Sequence, residues 1–157
     1  MERVPMTPDG HTKLREELRF LRDVERPKIS KDIGIARDHG DLSENAEYHA
    51  AKERQGMVEA RIKELEDKLS RAEVIDPAKL SGSKVAFGAT VTVLESDTDK
   101  EFQYQIVGPD ESDAGKCRIS ITSPLARALV GKEEGDEVKV RTPGGERLLE
   151  VVEVVFR

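Results

Sequence analysis

Between residues 38 and 47 the chain reads Asp-His-Gly-Asp-Leu-Ser-Glu-Asn-Ala-Glu, four carboxylates with no basic side chain among them. Like charges crowded into so short a run repel, so the segment carries an electrostatic cost. Carboxylate oxygens are what hard cations such as Mg²⁺ take as ligands, usually with several waters retained. Asp41 and Glu44 stand three apart, and at a helix start both can face one ion. Two carboxylates alone make a weak site, and a useful one needs ligands from a partner. The same spacing also writes a capping box, with Asp41 as N-cap and Glu44 reaching back from the third helical position. Acids near a helix N-terminus complement its dipole as well. Spacing therefore leaves capping, a solvated turn and metal work all open, with capping the simplest. The roles are compatible, since a cap can aim a carboxylate outward.

The neighbours add little chemistry of their own. His39 and His49 match no zinc spacing and read as exposed turn histidines. Arg37 and Lys52 flank the acidic run. They are solvated charges, partners for Asp38 and Glu53, or a small contact for phosphates brought close.

Helices must position this run. From Thr7 to about Ala72 the apolar spacing is helical. Thr7 reads as an N-cap and Pro8 as the first helical residue, where a missing N–H costs nothing. Leu14, Leu18, Leu21 and Val24 follow. Pro27 interrupts, and Ile29, Ile33 and Ala36 resume one residue out of phase, which predicts a kink or local phase shift rather than two separate helices. Gly40 sits where a C-terminal cap is expected. A second run, Tyr48, Ala51, Gln55, Val58, Ile62, Leu65, Leu69 and Ala72, steps by three and four as a coiled-coil seam does. Two such helices joined by a short turn should lie antiparallel. The second alone spans on the order of 40 Å. The arm is too narrow to hide a pocket, which leaves its tip as the distinctive surface.

After Asp76-Pro77 and Ser81-Gly82-Ser83 the period changes to that of strands. The expected strands are 84–94, 102–107, 118–121, 137–141 and 148–156, with Pro143-Gly144-Gly145 as the turn between the last two. One short helix intervenes: Ser123 caps, Pro124 opens, Leu125, Leu129 and Val130 pack, and Gly131 stops it. The chain thus reads as α+β: a coiled-coil hairpin over 1–76 with its acidic tip at 38–47, a linker over 77–83, and a small sheet domain over 84–157.

Composition limits the alternatives. The 157 residues are 36% hydrophobic and 37% charged, with no Trp, which disfavours a stacking platform for single-stranded nucleic acid. A net charge of −6 gives no broad attraction to a phosphate backbone. No apolar run approaches the roughly 20 residues that cross a bilayer, and the N-terminus has no hydrophobic signal core. Cys117 is the single cysteine and has no CxxC partner. A cytoplasmic protein with no membrane association is expected.

The run Ile35-Ala36-Arg37-Asp38-His39-Gly40-Asp41-Leu42-Ser43-Glu44-Asn45-Ala46-Glu47-Tyr48 closely resembles the tip signature of the Gre family of bacterial transcript-cleavage factors. Met6-Thr7-Pro8-Asp9-Gly10, Arg26-Pro27, Ile75-Asp76-Pro77, Ser123-Pro124-Leu125-Ala126-Arg127 and Thr142-Pro143-Gly144-Gly145 fit the same family. The resemblance covers nearly the whole chain. It implies an arm inserted into the secondary channel of RNA polymerase and an FKBP-like C-terminal domain docked at the channel rim, with Ser123, Pro124 and Arg127 as docking residues. It also implies that Asp41 and Glu44 hold a Mg²⁺ jointly with the polymerase, weakly or not at all in the isolated protein. Arg37 and Lys52 would lie near the nascent RNA 3′ end, and Leu42, Ser43 and Asn45 would shape the tip.

The function so implied is rescue of arrested complexes by cleavage of backtracked RNA. The protein would be a monomeric accessory factor rather than an enzyme in its own right. Asp38 stands where relatives often carry Glu, a mild departure. Leu42 in place of an Arg favours the GreA branch over GreB and implies short cleavage fragments. A channel-binding inhibitor of the same architecture is the alternative, against which the spacing of Asp41 and Glu44 speaks. A purely structural coiled-coil adaptor would not need four tip carboxylates.

Overall fold

The structure is a computed structural model that describes residues 2–157. The chain divides into a helical unit, residues 11–71, and a unit in which residues 2–10 pack with 72–157. The first ten residues and 72–76, read from sequence with the arm, therefore belong with the sheet.

Helix α1 (Pro8–Phe20), which belongs to the helical unit from His11 on, runs through one wide turn, Leu21–Glu25, into α2 (Arg26–Arg37). The Arg26 N–H donates to the Leu21 carbonyl five residues back, so the turn is of the π type. That extra residue is the one-residue phase shift seen in the apolar pattern. Leu18 is buried before the turn and Ile29, Ile33 and Ala36 after it. Val24, expected on the inner face, is instead 49% exposed because the wide turn carries it outward. Pro27 follows immediately, and a wide turn over the carbonyl four residues upstream relieves the clash a proline ring otherwise makes there.

The second long helix, α3 (Ala46–Arg71), buries or half-buries every expected seam position from Tyr48 to Leu69. Ile62 and Leu65 pack with Leu18, and Ala51 with Ile29 and Ile33. Ion pairs run down the flanks. Arg61 meets Glu17 at 2.8 Å, Glu59 meets Arg26 at 2.7 Å, and Arg54 meets Asp32 at 3.0 Å. Partner numbers rise on one side as they fall on the other, which makes the hairpin antiparallel.

In the other unit, β1 (Val4–Met6) and β2 (Ala72–Val74) form a two-stranded parallel pair. Parallel strands need a long crossover, and here the crossover is the whole helical segment. Three-residue strands leave no readable period, so the sequence pattern marks neither of them. The larger sheet has the order β5-β4-β3-β7-β6. Its strands are β3 (Ala89–Glu95), β4 (Lys100–Val107), β5 (Arg118–Ser120), β6 (Glu137–Thr142) and β7 (Gly145–Phe156). Only the β4–β5 pairing is parallel. A Pro143-Gly144 turn closes the β6–β7 hairpin, with Thr142 paired to Gly145.

The core gathers Val91, Val93, Ile106, Val138, Val140, Leu149 and Val151 under Ala126 and Leu129 of α4 (Pro124–Leu129). Two expectations fail here. Residues 84–87 are not strand; Gly88, at φ +87°, turns the chain before β3, and Lys84 makes one isolated bridge to Glu133. Val130 is 40% exposed, and Ala126 takes the inward position.

A buried carboxylate fastens the N-terminal segment to this unit. Glu111 accepts the Thr7 N–H at 2.8 Å, the Thr7 hydroxyl, the Gly108 N–H at 3.2 Å and a guanidinium N–H of Arg118 at 3.3 Å. Thr7 meanwhile caps α1, its Oγ1 accepting the Gly10 N–H at 3.2 Å. A Cβ on Gly10 would overlap the Glu111 carboxyl, which is why that position is glycine.

Candidate functional site

The acidic run forms the connection between α2 and α3. Helix α2 ends at Arg37, and the His39 N–H closes onto the Ala36 carbonyl at 3.1 Å. Gly40 follows at φ +120°, a conformation that favours a residue without Cβ. Asp41 then caps a single 3₁₀ turn, Leu42–Glu44. Its Oδ1 accepts the Ser43 N–H at 3.0 Å and the Ser43 hydroxyl at 2.9 Å. The hydroxyl, and after it the N–H, hold the Asp41 carboxyl below its usual range, so it stays ionised to lower pH.

The capping box anticipated from Asp41 and Glu44 does not form. Asn45, one residue before α3, does the capping: its Oδ1 accepts the Tyr48 N–H at 3.0 Å. Its Nδ2 donates to the Ala36 carbonyl at 2.6 Å. One amide thus satisfies an unpaired donor at the start of α3 and a carbonyl at the end of α2. A carboxylate at Asn45 would serve only the first, whereas Asp41 lies too far upstream to cap α3 and caps the 3₁₀ turn instead. Glu44 is exposed and, among the described residues, its side chain makes no hydrogen bond or ion pair.

Asp41 Oδ2 and the Glu44 carboxylate are therefore open to solvent. Both are hard oxygen donors, so the residues fit a divalent cation such as Mg²⁺ as part of a ligand set. They do not complete one. Among the described residues no group of three or more His, Cys, Asp or Glu side chains is placed to hold a metal.

Around them, His39 lies 3.8 Å from Glu47, exposed in the turn as expected. His49 is not in the turn but on the first turn of α3, where its Nε2 lies 3.2 Å from the Ser43 carbonyl. Leu42 is 38% exposed. Arg37 is exposed and has no side-chain partner among the described residues, and Lys52 donates to Gln55 at 3.0 Å. Neither pairs with Asp38 or Glu53, so both cations remain available beside the turn. In the sheet unit, Ser123 caps α4 by accepting the Ala126 N–H at 3.2 Å, and Pro124 and Arg127 are exposed. The turn therefore brings Asp41, Leu42, Ser43, Glu44 and Asn45 together. The contact of His49 with Ser43 is not marked by any spacing in the sequence.

Two family models match the chain, one described as "Transcription elongation factor, N-terminal" over residues 4–74 and one as "Transcription elongation factor, GreA/GreB, C-term" over residues 80–156. A protein of Hyphomonas neptunium named transcription elongation factor GreA is 60% identical over 157 residues, the whole of both chains. One of the same name from Brucella anthropi is 59% identical, over 99% of each chain. Among solved structures, the GreA factor homolog 1 protein of Thermus thermophilus is 29% identical, covering 98% of this chain and 99% of that one, with a TM-score of 0.45.

Proposed function

The chain belongs to the GreA/GreB family of transcription elongation factors, and from that premise we propose that it is an accessory factor of RNA polymerase that stimulates cleavage of backtracked RNA. The observation that carries the reading is the pair of open carboxylates, Asp41 and Glu44, on a braced turn at the end of a long antiparallel hairpin. This chain supplies position and charge. The Asn45 amide and the Asp41–Ser43 bonds fix the turn before any partner arrives, so little ordering remains to be done on binding. Asp41 contributes its free Oδ2 and Glu44 its whole carboxylate, while the polymerase completes the ligand set. A Mg²⁺ held jointly there would stabilise the attacking and leaving oxygens in hydrolysis of an RNA phosphodiester. Arg37 and Lys52 stand beside the turn as contacts for the phosphates of the RNA 3′ end, and the α4 region with Ser123, Pro124 and Arg127 serves docking at the channel rim.

The full-length relatives at 59% and 60% identity are named as elongation factors, which does not favour an inhibitor of the same architecture. Backtracked elongation complexes incubated with the purified protein over a range of Mg²⁺ separate the two. Release of short 3′ RNA fragments followed by resumed synthesis is expected. Slowed synthesis with no fragment would overturn the proposal.

A further inference from the structure

We infer that His49 is a positioning residue for the acidic turn, an inference that rests on the cleavage reading above and extends it to a side chain outside the turn. The Ser43 carbonyl can only accept, so the 3.2 Å contact requires His49 to donate from Nε2. The neutral Nε2–H tautomer and the imidazolium both do this, so the bond does not depend on the ring's charge. Ser43 is also the residue that holds Asp41, donating both its N–H and its hydroxyl to Oδ1. The chain of bonds runs from α3 through His49 to the Ser43 carbonyl, and from Ser43 to the Asp41 carboxylate.

A 3₁₀ turn of three residues has little internal support, and here the main-chain bond from the Asn45 N–H to the Leu42 carbonyl is long at 3.4 Å. Asn45 fixes the turn's far end to both helices, its side-chain bonds going to Ala36 and Tyr48 rather than to Asp41 or Ser43. His49 is the side chain that ties its middle to α3. The ring is itself steadied by an edge contact with Tyr48, with centroids 5.7 Å apart. The polar contact of His49 is to the Ser43 carbonyl rather than to either open carboxylate, so its effect on cleavage passes through Ser43.

The test compares wild type, His49→Ala and His49→Gln. The Gln amide keeps a donor at similar reach. His49→Ala is expected to raise the Mg²⁺ concentration for half-maximal RNA cleavage on the order of fivefold, the scale of losing one ordinary hydrogen bond. Affinity for polymerase and helical content should stay unchanged, and His49→Gln should restore most of the Mg²⁺ response. In the isolated protein, amide exchange at Ser43 should quicken in His49→Ala and return towards wild type in His49→Gln. A wild-type protein that cleaves while His49→Ala shows the same Mg²⁺ response overturns the inference and leaves the cleavage reading intact. A wild type that releases no RNA overturns the cleavage reading and the catalytic consequence with it; unchanged Ser43 exchange in His49→Ala then removes the brace as well.

Discussion

The side-chain amide of Asn45 donates to the main-chain oxygen of Ala36 across 2.6 Å, tying the end of α2 to the start of α3. The opposite atom of the same amide caps α3 at Tyr48. Replacing Asn45 by Ala removes both bonds and should destabilise the hairpin by about 1–2 kcal/mol. Asn45→Asp keeps the cap, loses the donor to Ala36 and adds a fifth carboxylate to the turn. Both variants should melt earlier when followed by far-ultraviolet circular dichroism. Asn45→Asp should also lose more cleavage than its small stability loss explains.

The wide turn at Leu21–Glu25 predicts an unusual tolerance. Deleting the exposed Val24 removes the extra residue, and Leu21, Ile29 and Ala36 then fall on one heptad-spaced seam. The deletion should leave helical content unchanged and stability within about 1 kcal/mol. Deleting Ile62 from α3, which has no such turn, should abolish cooperative unfolding of the hairpin because every seam residue beyond it leaves the interface.

Much of this architecture was legible in the chain because it repeats. The three-and-four steps from Tyr48 to Leu69, the phase slip around Pro27, and the Ser123-Pro124 and Pro143-Gly144 signals each report a local rule that the structure obeys. What escaped was non-local or too brief to carry a period. The parallel pair β1–β2 has three residues per strand, and its partners lie 68 positions apart. Val85 and Phe87 look like strand because they alternate, yet Gly88 turns the chain first. At the candidate site the acids, Ser43 and Asn45 were visible as residues. That Asn45 rather than Asp41 caps α3, and that His49 reaches Ser43, are matters of side-chain geometry.

Glu111 illustrates the same point and gives a coupled prediction. Gly10→Ala should destabilise the sheet unit by about 2 kcal/mol because the new methyl overlaps the Glu111 carboxyl. Glu111→Ala should cost about 3 kcal/mol, since Thr7 and the largely buried Arg118 lose their acceptor. In the double variant the Gly10→Ala cost should shrink, because the group it strikes is gone. Denaturant unfolding of all four proteins checks the cycle, and strict additivity would contradict it.

The hairpin should also weaken in acid through Glu17. Its hydrogen bond from Arg61, opposed by partial burial, lowers its pKa below the ordinary 4.5. A lowered carboxylate contributes stability above its unfolded pKa and loses it as pH falls through the folded one. The pair is over a third exposed on both sides, so Glu17→Gln should cost well under about 1 kcal/mol at neutral pH. The difference from wild type should vanish as the pH is taken below 4.5 through the lowered value. Thermal unfolding of both proteins across that interval measures it.

The central claim is that Asp41 and Glu44 act through charge rather than by shaping the turn. Cleavage of a backtracked elongation complex by wild type and by the Asp41→Asn, Glu44→Gln double variant tests it most directly. Asn at Asp41 can still accept from Ser43, and the Glu44 side chain has no hydrogen bond or ion pair to lose among the described residues, so the turn should survive. Loss of RNA cleavage with polymerase binding retained is the predicted result. Cleavage equal to wild type would contradict the account.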